Sequence, residues 1–247
     1  MKLKEIFDQL TYGELSQLSI GGSELGAIQA KDYDRILAHI NLAMTALHKR
    51  FNLKESNVLL ELQPGRTLYP IKTAFAVTAK SKETIRFLKD SVDMPFKDNV
   101  HKIERVYTDK GVELSINDQE DPYSLSTPQV TMLRVPASLV TNPVDFPENL
   151  ITKNLDIYYR ANSLPIVTDD GDLDPEDVEV DLPYAYLEPL LLYVASRIHT
   201  PTGMTNEFNM GNNYYAKYEA ACQDLENFDL DVDQVSQPNR LGNKGFV

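Results

Sequence analysis

The chain has 247 residues, 42% hydrophobic and 25% charged, a composition that excludes global disorder. One cysteine, Cys222, excludes an internal disulfide and any multi-cysteine zinc site, and no run of about 18 uninterrupted apolar residues offers a membrane span. The net charge is −13, and residues 161–239 hold 16 acids against two bases, Arg197 and Lys217, whereas the remainder holds 21 acids and 22 bases. That imbalance repels nucleic acid and argues against tight DNA binding, while DNA sliding past without adhesion stays allowed.

Residues 1–55 read as helical. Leu3, Ile6, Phe7 and Leu10 recur at 3–4 spacing, and Thr11-Tyr12-Gly13-Glu14 fits a capping box with Thr11 as N-cap of a short second helix through Leu15 and Leu18. Gly21-Gly22-Ser23 breaks the pattern. Asp32 then caps a stronger helix whose apolar face is Tyr33, Ile36, Leu37, Ile40, Met44, Leu47 and Phe51. Met1-Lys2-Leu3-Lys4-Glu5 lacks the apolar run of a secretion signal.

Residues 56–182 change character. Ten of the 14 prolines fall there, and helical periodicity disappears. Strands are expected at 58–62, 67–71, 74–78, 85–88, 101–107, 112–116, 130–135 and 155–160. Val106 to Leu114 reads as a hairpin with Gly111 supplying the positive φ, and Gln63-Pro64-Gly65-Arg66 as a turn. Residues 183–228 return to helix. Pro183 sits in a first turn, Leu187, Leu190, Leu191, Val194, Ala195 and Ile198 make one apolar face, and a last helix carries Tyr214, Tyr218, Ala221, Cys222, Leu225 and Phe228. Residues 229–247 read as an extended tail. The expected fold is α+β: a helical bundle of N- and C-terminal helices, with an inserted antiparallel β region of sandwich or barrel type.

No motif carries catalytic chemistry. His39, His48, His101 and His199 form no metal-binding pair. Gly21 to Gly26 is neither a nucleophile elbow nor a P-loop. Cys222 sits on an apolar helix face, as a core residue does. Asp170, Asp172 and Asp174 have the 1, 3, 5 spacing of a calcium loop, but Pro175 stands where the EF-hand turn needs Gly, and Asp181 where it needs Glu. The run therefore reads as a solvated loop, with calcium as the weaker alternative. Tyr158-Tyr159 and Tyr214-Tyr215 read as packing residues before they read as a ligand platform. No enzyme, cofactor or metal is expected.

The order of features resembles the head-to-tail adaptor (connector) proteins of short-tailed bacteriophages. Ile40 to Leu53 is similar to their early helix with its basic-aromatic exit, Lys49-Arg50-Phe51. Val106-Tyr107, Gly111 to Leu114 and Ser126-Thr127-Pro128 resemble their inserted β region. Leu155 to Ala161 resembles the strand before the chain returns, Val180 to Pro183 with Leu190 to Ile198 their long helix, and Tyr214 to Glu219 the next one. The ending Gly245-Phe246-Val247 is also similar.

The resemblance implies a structural virion protein, made in the host cytoplasm and placed in the neck between head and tail. It implies a ring, commonly of twelve copies, with the portal protein above, the tail tube or nozzle protein below, and DNA passing through without specific binding. The tail of the chain would dock on the portal through Arg240, Leu241, Lys244, Gly245, Phe246 and Val247, with Phe246 as apolar anchor and Gly245 as joint. The alternatives are a ligand- or carbohydrate-binding β module of a phage tail, which needs aromatic residues along a groove, and a hydrolase with an acidic dyad, which needs a cleft.

Overall fold

The computed structural model describes residues 1–16, 28, 32–80, 82–141, 143, 146–167, 174–199 and 205–228, the side chains of 205–208 excepted. The fold is α+β, with five α-helices and two antiparallel sheets among the described residues. Contacts divide the chain into Met1–Leu53 with Pro165–Val247, which is helical, and Lys54–Leu164, which is β-rich.

In the helical unit, α1 (Leu3–Tyr12) buries Leu3, Ile6, Phe7 and Leu10. It runs straight through Thr11, so Thr11 is not an N-cap. The stop comes at Gly13, whose N–H donates to the Gln9 carbonyl at 2.8 Å. A Cβ on Gly13 would lie 2.7 Å from that oxygen, so the close approach requires glycine. At the other end, the N–H groups of Leu3 and Lys4 donate to the carbonyls of Val178 and Pro175, both at 3.0 Å. A returning backbone segment thus satisfies helix-end donors that a capping side chain usually takes.

The helix α2 (Tyr33–Arg50) buries the stripe expected of it, including Ile36, Leu37, Ile40, Met44 and Leu47. Asp32 stands at its N-cap position in a helical conformation, φ −100° and ψ −5°, and its side chain makes no capping bond. Side-chain capping needs an extended backbone, which Asp32 lacks. A 3₁₀ turn after Pro183 (Tyr184–Tyr186) leads into α4 (Leu187–His199), and α5 (Thr205–Asn227) follows. Helices α1, α2 and α5 each contact α4, and Tyr218 and Cys222 of α5 join the common core. Phe51 meets Tyr186 edge-on, with ring centroids 5.0 Å apart. Phe228, read as part of the apolar face of α5, is exposed.

Residues 165–167 and 174–182, grouped with the β region on sequence, pack with the helices. Asn41 of α2 clasps Ile166 in both directions at 2.8 Å. The N–H of Val180 donates to the Met1 carbonyl at 2.8 Å, and Val180 and Leu182 lie in the helical core.

The β-rich unit holds β1 (Glu55–Glu61), β2 (Leu68–Pro70), β3 (Leu88–Lys89), β4 (Val100–Thr108), β5 (Glu113–Leu114), β6 (Ser126–Gln129), β7 (Met132–Arg134) and β8 (Asn154–Ala161). One sheet has the order β3-β1-β8-β4-β5 and the other β2-β7-β6, and every ladder is antiparallel. Alternation sorts the faces: Leu155, Ile157, Tyr159 and Ala161 of β8 point into the core, and Asp156, Tyr158 and Arg160 point away. Tyr69 and Leu133 of the smaller sheet join that core. The sheets stay open, so the barrel form of the expectation does not hold.

The two expected turns form, with Gly65 at φ 76° and Gly111 at φ 77°. Residues 74–78 are not a strand. Asp98 Oδ1 accepts the Thr73 N–H at 2.6 Å, and a 3₁₀ turn at Thr73–Phe75 follows, leaving only an isolated bridge from Ala76 to Leu88. The sequence reading also lacked β6 and the short α3 (Ala137–Thr141), which follows Pro136.

Candidate assembly surfaces

The sequence-nominated chemical residues do not come together. Among the described residues, no group of three His, Cys, Asp or Glu side chains is placed to hold a metal. Asp170 and Asp172 lie outside the described residues. Asp174 Oδ1 accepts the Glu176 N–H at 2.9 Å, which makes a local turn. His39 is half-buried on α2, where burial and then Arg35 and Arg197 lower its pKa. His199 is buried and stacks on Tyr214 at 5.1 Å. Cys222 is fully buried, and burial pushes its thiol up, away from the thiolate a nucleophile needs. Tyr158 and Tyr159 point to opposite faces of the sheet, so they form no shared platform. The docking residues Arg240, Leu241, Lys244, Gly245, Phe246 and Val247 lie outside the described residues.

In the helical unit, Arg50 ends α2 and clamps α5. Its Nη1 donates to Glu219 and its Nε to Glu226, both at 2.6 Å. The Glu226 hydrogen bond raises the Arg50 pKa, and the same bond holds the Glu226 carboxyl below its ordinary range. This is where the basic-aromatic exit of the early helix is used: Arg50 ties two helices, and Phe51 packs on Tyr186. A sequence reader sees the basic pair, but its partners are about 170 residues away and leave no local signal.

In the β-rich unit, the outer face of the larger sheet carries clusters of ion pairs and rings. Arg105 bonds Glu55 at 2.5 Å and lies 5.7 Å from the Tyr158 ring centre, and Tyr107 meets Tyr158 edge-on at 5.5 Å. Glu104 pairs with Lys102 at 2.9 Å and Arg160 at 3.4 Å. The nearby Asp156 raises the Tyr158 pKa. A second feature is an apolar tip. The Asp90 carboxylate accepts from the Thr78 hydroxyl and N–H and, at 3.0 Å, from the Phe96 N–H. Those bonds brace the loop that carries Val92 and Met94, which are 87% and 74% exposed. A third is a groove of about 500 Å³ beside β4, lined by Ile103, Ile116, Pro128 and Val130 with Lys102 and Glu104 on its rim.

The charge follows the structural division. The helical unit carries 22 acids and 10 bases, the β-rich unit 15 acids and 14 bases, or −12 against −1. No described helix is long and apolar enough to cross a membrane.

These surfaces are pairing networks, an apolar tip and a groove beside β4. Comparison with known sequences gives no matching curated protein. The family model described as SU10 adaptor protein matches residues 10–242, nearly the whole chain and both units. The chain therefore belongs to the SU10 adaptor protein family and is a phage adaptor protein.

Proposed function

We propose that this chain is a head-to-tail adaptor that forms a ring, commonly of twelve copies, between the portal and the tail of a short-tailed phage. The family match across residues 10–242 carries the reading. In it, the chain works in the virion neck after synthesis in the host cytoplasm, without catalysis. The tail tube or nozzle protein binds below, and the portal above takes the tail, residues 229–247, through its end, with Phe246 as anchor beside Arg240, Leu241, Lys244, Gly245 and Val247. The acid excess of the helical unit supports a further element: this unit faces the channel, where like charge keeps passing DNA from adhering. The groove beside β4 has no aromatic lining, which weighs against a carbohydrate-binding module there.

The test is addition of purified chain to DNA-packaged, tail-less heads, comparing full length with a chain ending at 228. The expected result is stable addition in a fixed copy number, lost on truncation. Addition without that loss moves the portal contact to the helices, and no addition overturns the reading.

A further inference from the structure

The strand β4 runs beside β8 from Val100 to Thr108 with two register shifts, but on its other side only Val106 and Tyr107 pair, with β5. No strand among the described residues pairs with the outer edge of Lys102–Glu104, which borders the 500 Å³ groove. Across the groove runs β6, the edge strand of the other sheet. It is closed to pairing at Pro128, which has no N–H, and at Thr127, whose N–H already donates to Asn117 Oδ1 at 3.0 Å. Only the β4 wall is left to extend its ladder. Register shifts border and interrupt this stretch, between Val100 and Lys102 and between Ile103 and Arg105, the second falling on Glu104. They limit the open edge to a short run, which suits a short guest strand and opposes open-ended stacking.

The sequence holds a segment with the pattern of such a strand. After α5 and Phe228 come Asp229-Leu230-Asp231-Val232-Asp233-Gln234-Val235, with apolar and acidic residues alternating from Asp229 to Asp233. That period of two gives an extended segment one apolar and one charged face. Laid beside β4, it would set Leu230 and Val232 on the inner side, against Ile103, Ile116 and Val130. Its aspartates would lie on the outer side next to Lys102, whose side chain is 64% exposed. The acids leave a unit of −12 for one of −1, so the move relieves like-charge repulsion. Residues 236–247 can still extend about 40 Å beyond it, enough to reach another partner.

We propose that residues 229–235 of one copy add as a strand to the open edge of β4 in the neighbouring copy, stitching the ring by strand addition. This rests on the adaptor reading and names the contact between its subunits.

The test uses full chains carrying Lys102→Cys with Asp229→Cys, Asp231→Cys or Asp233→Cys in turn, loaded on packaged heads and gently oxidised. The buried Cys222 stays in place, and the wild-type chain is the control. A ladder of covalent dimers, trimers and higher species for at least one pair is the expected result. A cross-link confined within single chains, or no cross-link on loaded heads, overturns the inference and leaves the adaptor reading standing. Failure of the wild-type chain to load overturns both. Where the variants alone fail to load, zero-length coupling of Lys102 to the aspartates of the loaded wild-type chain, in a mixture of light and heavy-isotope copies, decides by whether light–heavy pairs form.

Discussion

The two units handle charge in opposite ways. In the β-rich unit acids and bases balance, 15 against 14, and several pair across strands: Arg105 with Glu55, Lys102 and Arg160 with Glu104, and Lys89 with Glu61. Neighbouring strands hold side chains about 5 Å apart, so like charges there cost stability and opposite charges gain it. In the helical unit the described salt bridges include those of Lys2, Lys4 and Arg50, and 22 acids stand against only 10 bases. The near-neutrality of the sheet is a condition of its architecture. The acid excess of the helices answers to no such cross-strand constraint.

Large effects come from the cores. Ile40 in the helical unit and Ile157 in the β-rich unit are both fully buried. Ile40→Ala and Ile157→Ala are each expected to cost about 2–5 kcal/mol in urea unfolding. A cost below about 1 kcal/mol at either position contradicts the packing of that unit.

The glycines come next and separate the units by mechanism. Gly111→Ala meets no atom within 4 Å and is strained only by φ 77°, so a loss of about 1 kcal/mol is expected. Gly13→Ala drives a Cβ into the Gln9 carbonyl, so its loss should exceed that of Gly111→Ala in the same assay. The reverse order contradicts the helix stop.

Asp90 tests the loop brace through pH. Burial works to raise its pKa, but hydrogen bonds from Thr78 and Phe96 outweigh this and set it below the ordinary 3.8. Its contribution is therefore full above pH 3.8 and lost as pH falls through the lowered value. Asp90→Asn should cost about 1 kcal/mol at neutral pH, with the gap to wild type closing below pH 3.8. A gap that persists at low pH contradicts the brace.

The smallest effect on stability sharpens the charge comparison most. Asp177 and Asp224 are exposed acids of the helical unit. Asp177→Lys with Asp224→Lys is expected to change stability by no more than about 0.5 kcal/mol per site. DNA retention by the protein at low salt, read by electrophoretic mobility, is expected to rise. Unchanged DNA retention separates the acid excess from DNA passage.

Much of the fold was legible because periodicity reports burial. The stripe of α2 and the alternation of β8 are each continuous in sequence and needed no distant partner to be read. The failures came where tertiary structure overrode local chemistry. The Thr11 box lost to a helix that gains by burying Leu10 and stopping at Gly13. Residues 165–182 carry few apolar side chains of regular spacing, yet they bond Asn41 and the start of α1. Strand β6, with Pro128 and polar neighbours, has no strand signature and exists through its pairing with β7. The Arg50 clamp and the open edge of β4 depend on which elements become neighbours, which no local pattern encodes.

The most direct measurement is an electron cryomicroscopy map of packaged heads loaded with the full chain. The expected result is a closed ring at the portal vertex with Asp177 and Asp224 of the helical unit turned toward the channel. A channel wall of neutral or basic residues, or a chain bound away from the portal vertex, would contradict the link between the acidic helices and DNA passage.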